Sequence, residues 1–163
     1  MAYNNYQNNR QPQRYGQFDA PPAPRQIVAK PIPAGFVDQA EKVINGLMEF
    51  QNQDPKRNKA ITSTKIRKLF GLFTDLYNEV KRNDSPELNP AQLQSLTTAR
   101  IRLVYECGRG GNGSDVTRFV EKAELLEYLK GIGNSRENFL KFHQYFEALV
   151  AYHRYTFGDD KNK

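Results

Sequence analysis

Thr62-Ser63-Thr64-Lys65-Ile66-Arg67-Lys68-Leu69-Phe70-Gly71-Leu72-Phe73-Thr74-Asp75-Leu76-Tyr77-Asn78-Glu79-Val80-Lys81-Arg82 reads as one helix from about Ser63 to Arg82. Ile66, Leu69, Phe70, Phe73, Leu76, Tyr77 and Val80 recur at steps of three and four, the spacing of a single buried helical face. Its first residues carry a second signal. Hydroxyl oxygens of a Thr-Ser-Thr start accept hydrogen bonds from the first orphan amides of a helix. The remaining N–H groups and the helix dipole favour an anion at that end. Lys56, Arg57, Lys59, Lys65, Arg67 and Lys68 place six positive charges within thirteen residues around it. Lys65 and Arg67 project roughly 100° to either side of the apolar stripe while Lys68 points outward, so one acidic neighbour cannot serve all three. Such a fan suits the phosphates of a nucleic-acid backbone; the plain alternative is a solvated helix start. Gly71, on the outward face, leaves room for a strand or another subunit, or is a weak helix position without a purpose.

The same period extends in both directions. Phe36, Ala40, Val43, Ile44, Leu47 and Met48 predict a preceding helix. A third begins at Asn89-Pro90, a cap followed by proline at the first helical position, turns Leu93, Leu96, Leu103, Val104 and Cys107 inward, and stops at Gly108. Gly108 to Gly113 reads as a flexible loop. A fourth helix, capped by Ser114 or Asp115, buries Val116, Phe119, Val120, Ala123, Leu126 and Leu129. The last, from about Ser135 to Phe157, buries Phe139, Phe142, Phe146, Leu149, Val150 and His153. No alternating strand pattern competes. The expected fold is all-α: a compact bundle of about five helices over residues 35–163.

Residues 1–34 are made differently, of Asn, Gln, Pro, Tyr and Arg with almost no aliphatic side chain before Ile27. Too little apolar surface is present to offset the entropy of ordering, so a disordered tail is expected. Its arginines and tyrosines could add loose RNA contacts or have no role. The chain has 163 residues and a formal net charge of +6, with a sequence pI near 9.4, which suits a polyanionic partner. One cysteine, Cys107, excludes an internal disulfide framework. No apolar run approaches the roughly 20 residues that span a bilayer, and the first residues lack a signal-peptide pattern. A soluble, cytoplasmic protein with no membrane partner is the expectation.

Arg100 lies about 20° from the axis of the Leu93–Val104 stripe. A charge there needs a partner; Glu147 is one candidate, and a role in gripping phosphate is the other. Arg102 points to solvent, and Arg109 falls in the glycine loop. Lys59, Lys65, Arg67, Lys68, Arg100, Arg102 and Arg109 are therefore the candidate RNA-binding residues. The search for chemistry finds little. Two histidines and one cysteine make no metal cluster, carboxylates are dispersed, and Cys107 and His153 fall on apolar stripes as core residues. No Gly-rich strand-to-helix loop is present to bind a nucleotide. No enzyme activity, metal or cofactor is expected.

Several segments in order carry a resemblance: Thr62 to Arg67, then Leu76-Tyr77-Asn78, then Arg102-Leu103-Val104-Tyr105 with Gly108-Arg109. Ser135-Arg136-Glu137-Asn138-Phe139 and Tyr145 to Arg154 complete the series. From about residue 40 to 156 the chain resembles the small subunit of type III-A CRISPR (Csm) effector complexes. That resemblance implies an all-helical, non-catalytic subunit present in several copies. Such copies stack along the crRNA–target RNA duplex, line the target strand, and touch the repeat-type backbone subunit and the large polymerase-like subunit. Lys65, Arg67, Arg102 and Arg109 sit in its basic motifs; Arg100 has no motif behind it. A subunit that must accept any guide should hold phosphates and ignore base edges. Two alternatives stay open. One is a helical protein-interaction adaptor whose charge keeps it soluble. The other is a helical ribonuclease, because Arg136 and His143, seven apart on one face, loosely resemble the arginine–histidine pair of the HEPN type.

Overall fold

The structure, a computed structural model, describes residues 26–159. The tail expectation for residues 1–25 lies outside the described residues. Seven helices are present among those described: α1 (Phe36–Gln53), α2 (Ser63–Gly71), α3 (Thr74–Lys81), α4 (Pro90–Gly110), α5 (Asp115–Lys122), α6 (Leu125–Gly131) and α7 (Arg136–Phe157). They contain no strand; one isolated antiparallel bridge, Glu87 to Ser135, ties the start of α7 to the segment before α4.

The core is built around α7. Phe139, Phe142, Tyr145, Phe146 and Leu149 are fully buried, and Ala40, Val43, Ile44 and Leu47 of α1 are buried with them. Phe146 is at the centre, its ring centroid 5.4 Å from Phe70, 6.0 Å from Phe73, 6.1 Å from Phe119 and 6.1 Å from Phe142. Helix starts follow local chemistry. Thr62 accepts from the Lys65 amide, Ser114 from Thr117 and Ser135 from Asn138. Asn89 and Gln92 form a reciprocal capping box ahead of Pro90.

The all-helical class agrees with the sequence, but there are seven helices where about five were expected. Two expected helices are each divided. The stretch read as one helix from Ser63 to Arg82 stops at Gly71, a residue of low helix propensity. Leu72 and Phe73 then form a tight turn, their amides donating to Leu69 and Phe70 carbonyls. The turn keeps Phe73 buried against Phe142 at 5.1 Å. The second break is at Glu124, whose φ of 51° is in the left-handed region. Glu124 is held there by Lys30 and by the Tyr128 hydroxyl at 3.0 Å. The break turns Tyr128 against Tyr145, which donates to the Ala123 carbonyl at 3.0 Å.

Helix α4 also departs from expectation. It continues to Gly110 and ends where Gly111 takes a φ of 79°, so Arg109 belongs to its last turn and not to a loop. Its buried face is Gln92, Leu96, Ala99 and Leu103, rotated roughly 60° from the expected stripe at 100° per residue. Val104 is consequently 45 % exposed, and Met48 on α1, also expected inside, is 39 % exposed.

Residues 26–34, expected to belong to the tail, have neither helix nor strand and run along α6. The Lys30 amide donates to the Glu127 carbonyl at 3.1 Å, and Lys130 Nζ to the Ile27 carbonyl at 2.9 Å. Gly131 permits the approach: a Cβ there would lie 2.7 Å from the Lys30 carbonyl carbon.

Candidate nucleic-acid interface

Three cations leave one short helix in three directions. Lys65 Nζ lies 2.7 Å from Asp115 at the start of α5. Arg67 pairs with Asp159, just beyond α7, which also receives Arg154 at 3.1 Å. Lys68 Nζ lies 2.9 Å from Glu106 on α4, and the other oxygen of Glu106 takes Arg109 at 3.2 Å. The hydrogen bond from Lys68 holds the Glu106 carboxyl below its ordinary range, with the Arg109 charge adding to it and desolvation opposing. The expectation that no single acid could serve the fan holds, but the fan is not unpartnered. Each of the three pairs with a different carboxylate, two of which are shared with a further arginine.

Lys65, Lys68 and Arg109 line one hollow of about 190 Å³ with Leu69, Gly110 and Val116, Glu106 also in its wall. The cations are the more exposed partners, at 50 %, 56 % and 62 % against 16 % for both Glu106 and Asp115. Positive groups therefore stand outward and the carboxylates are recessed. Exposed pairs of this kind are worth about 0–1 kcal/mol each, so an incoming polyanion can displace or share them.

The first turn of α2 is less open than its sequence suggested. Ser63 is buried, and its hydroxyl donates to the Gly158 carbonyl at 2.9 Å. The end of α7 thus covers part of that helix start. Lys59, exposed, donates to the Pro55 carbonyl at 2.7 Å. Arg100 is half-buried on the flank of α4, and among the described residues it makes no ion pair with Glu147 or another carboxylate. The rotation of α4 explains this, because Arg100 lies roughly 70° from the packed centre and its long stem can snorkel. Arg102 is exposed beside a shallow hollow of about 220 Å³ that includes Asp75 and Glu79. It has no hydrogen bond or ion pair among the described residues. The seven candidates are thus divided. Lys65, Lys68 and Arg109 converge, Arg67 is next to them on α2, and Lys59, Arg100 and Arg102 stand apart.

The arginine–histidine pair does not form an open site. His143 is buried, stacked on Tyr77 with ring centroids 3.7 Å apart and tilted on Phe70 at 4.8 Å. Neither ring nitrogen has a hydrogen-bond partner among the described residues. Burial lowers its pKa, with the Glu147 charge partly opposing. Arg136 instead donates to the Val80 carbonyl at 3.2 Å. His153 Nε2 is 2.6 Å from the Ile61 carbonyl, a core role as expected, and Cys107 is half-buried. No group of three or more metal-ligating side chains is placed to hold an ion among the described residues. No described helix is long and apolar enough to cross a membrane.

The family model described as Csm2 Type III-A matches residues 38–159. The chain belongs to the Csm2 family. A curated relative from Mycobacterium tuberculosis (strain CDC 1551 / Oshkosh), named "CRISPR system Cms protein Csm2", is 40 % identical over 129 residues, 77 % of this chain and 94 % of that protein. Relatives of the same name from Streptococcus thermophilus and Enterococcus italicus are 38 % and 31 % identical. These alignments cover 77 % and 61 % of this chain, and 93 % and 71 % of the relatives. Membership in Csm2, the small subunit of type III-A CRISPR effector complexes, agrees with the resemblance seen in the sequence. The matched span contains all seven candidate residues. Sequence reasoning missed Glu106, Asp115 and Asp159, the carboxylates that organise the cations.

Proposed function

We propose that the chain is a non-catalytic RNA-binding subunit of a type III-A CRISPR ribonucleoprotein in antiviral defence, holding the crRNA–target backbone without regard to sequence. The observation that carries this is the hollow where Lys65, Lys68 and Arg109 stand outward over recessed carboxylates. Arg67 extends the positive surface along α2, and Arg102 adds a cation with no partner among the described residues. Lys59 and Arg100 are peripheral to this group. Phosphate contacts position a nucleic acid and carry no sequence information, which fits a subunit that must serve any guide. Its partners in this reading are crRNA and target RNA, the repeat-type backbone subunit, the large polymerase-like subunit and neighbouring copies of itself. Burial of His143 speaks against a ribonuclease built on Arg136 and His143.

The test is a salt titration of RNA binding by the full chain. Three or four phosphate contacts on a single strand give a slope of log affinity against log salt of about −2 to −3. A flat response, or a strong preference for one base composition, would overturn the proposal. The adaptor alternative is favoured by the internal pairing of the cluster, and absence of RNA binding at low salt would select it.

A further inference from the structure

Helix α4 is apolar on two faces. One, with Leu96, Ala99 and Leu103, is packed. The other looks outward: Ile101 is 63 % exposed, Val104 45 % and Tyr105 65 %. At 100° per residue these three fall within a sector of roughly 100°, and Thr97, Thr98 and Gly108 extend the strip along the helix. An exposed apolar strip of this kind marks a binding surface.

Its rim indicates what binds. The one carboxylate of α4, Glu106, is 16 % exposed and engaged by Lys68 and Arg109. On the same flank as Arg109, Arg102 is exposed and without a partner among the described residues. The Thr97 and Thr98 hydroxyls donate to the Leu93 and Gln94 carbonyls at 2.9 Å and 3.0 Å, so their protons are not offered to base edges. A symmetric pairing of two such faces would set arginines against arginines, because the nearest exposed acids beside Arg102, Asp75 and Glu79, are on α3 and not on the strip. Flat apolar rings on a negatively charged chain match the face better.

We propose that the outer face of α4 is a stacking platform for unpaired bases of single-stranded RNA. Tyr105 supplies the ring. Long helical side chains lean toward the N-terminus, so Ile101, one turn earlier, backs that ring, and Arg102 and Arg109 take the flanking phosphates. Aromatic stacking accepts every base, in keeping with the sequence independence proposed above, on which this platform rests.

The chain contains no tryptophan, so Tyr105→Trp places a single indole reporter at an exposed position. The full-length variant is titrated at low salt with oligouridylate, an RNA duplex and inorganic polyphosphate, while anisotropy of labelled oligouridylate follows binding independently. Stacking predicts strong quenching by oligouridylate and little by polyphosphate or duplex. Tyr105→Leu should weaken oligouridylate binding by roughly 5- to 140-fold, the range for one stacked base, and Tyr105→Phe should keep most of it. Oligouridylate binding without quenching, equal quenching by duplex, or indole emission that shifts with protein concentration alone would each overturn the platform. The first two outcomes leave the phosphate-binding proposal standing. Absence of RNA binding in every variant overturns both.

Discussion

Replacing Phe146 by alanine removes the ring on which the core converges. The side chain is fully buried, and its four aromatic neighbours belong to α2, the turn after it, α5 and α7. Loss of transfer free energy for the ring is worth about 2–3 kcal/mol. An uncollapsed void of about 100 Å³ would add roughly 2 kcal/mol at 24 cal/mol per Å³. Collapse recovers part of that, but the neighbours come from separate elements, so closing the gap on one side opens it on another. The expected loss is therefore in the upper part of the usual range, about 4–5 kcal/mol. A domain of this size stands only about 5–15 kcal/mol above its unfolded state, so the variant should be near the edge of folding. Guanidinium titration followed by far-ultraviolet circular dichroism measures this, with an unchanged slope showing that the midpoint shift reports stability. Phe146→Leu serves as a graded control and should lose less. A Phe146→Ala loss below about 1.5 kcal/mol, with parent-like helicity, would refute the placement of α7 at the centre of the core.

Lys65→Ala, which removes one exposed ion pair, should change stability by no more than about 1 kcal/mol in the same titration. The triple replacement of Lys65, Arg67 and Lys68 by Ala should remain folded. In a reconstituted effector complex it should weaken target-RNA capture while leaving cleavage positions unchanged; unchanged affinity across a salt titration would assign this surface to protein or solvent. His143 resists protonation in the folded state because burial lowers its pKa from the ordinary 6.5. Its contribution is thus complete above pH 6.5 and is lost as pH falls toward its lowered folded value, since the unfolded state takes the proton first. Stability curves of the parent and His143→Phe should diverge progressively below pH 6.5, and parallel curves between pH 7 and 5 would refute this. Gly131→Ala should release residues 26–33 from α6, seen as faster hydrogen exchange of the Lys30 amide that donates to the Glu127 carbonyl, because the new methyl group overlaps the Lys30 carbonyl. Exchange at the parental rate would show that the segment is held in another way.

The parts of the fold legible in the sequence were those governed by neighbours a few residues apart. Thr62, Asn89, Ser114 and Ser135 announced helix starts because a cap needs only its own side chain and an amide two or three residues on. The breaks at Gly71–Phe73 and Glu124 were not legible. Phe73 continues the apolar period perfectly well, and only its seat against Phe142 requires the turn. Glu124 carries no turn signal; its left-handed backbone depends on Lys30, 94 residues away, and on Tyr128. The face of α4 was misjudged because Ala99 and Val104 are both apolar, and packing alone chose alanine for the interior. The same limit applied to the candidate site. The positive fan was plain in thirteen residues of sequence, whereas its carboxylates lie 38, 50 and 92 positions away.

In the proposed RNA-binding role, internal pairing of that fan would make it a competitive exchanger. A lone phosphate or mononucleotide arriving at Lys68 must contend with Glu106, and exchanging one anion for another in water gains little. A continuous strand that reaches Lys68, Lys65 and Arg67 together displaces Glu106, Asp115 and Asp159 within one binding event, with the later contacts made at the high effective concentration set by the first. Under that proposal the carboxylates would screen out small anions and leave polymeric ones favoured. Discrimination by chain length follows from the geometry of three ion pairs on one nine-residue helix, without any contact to a base.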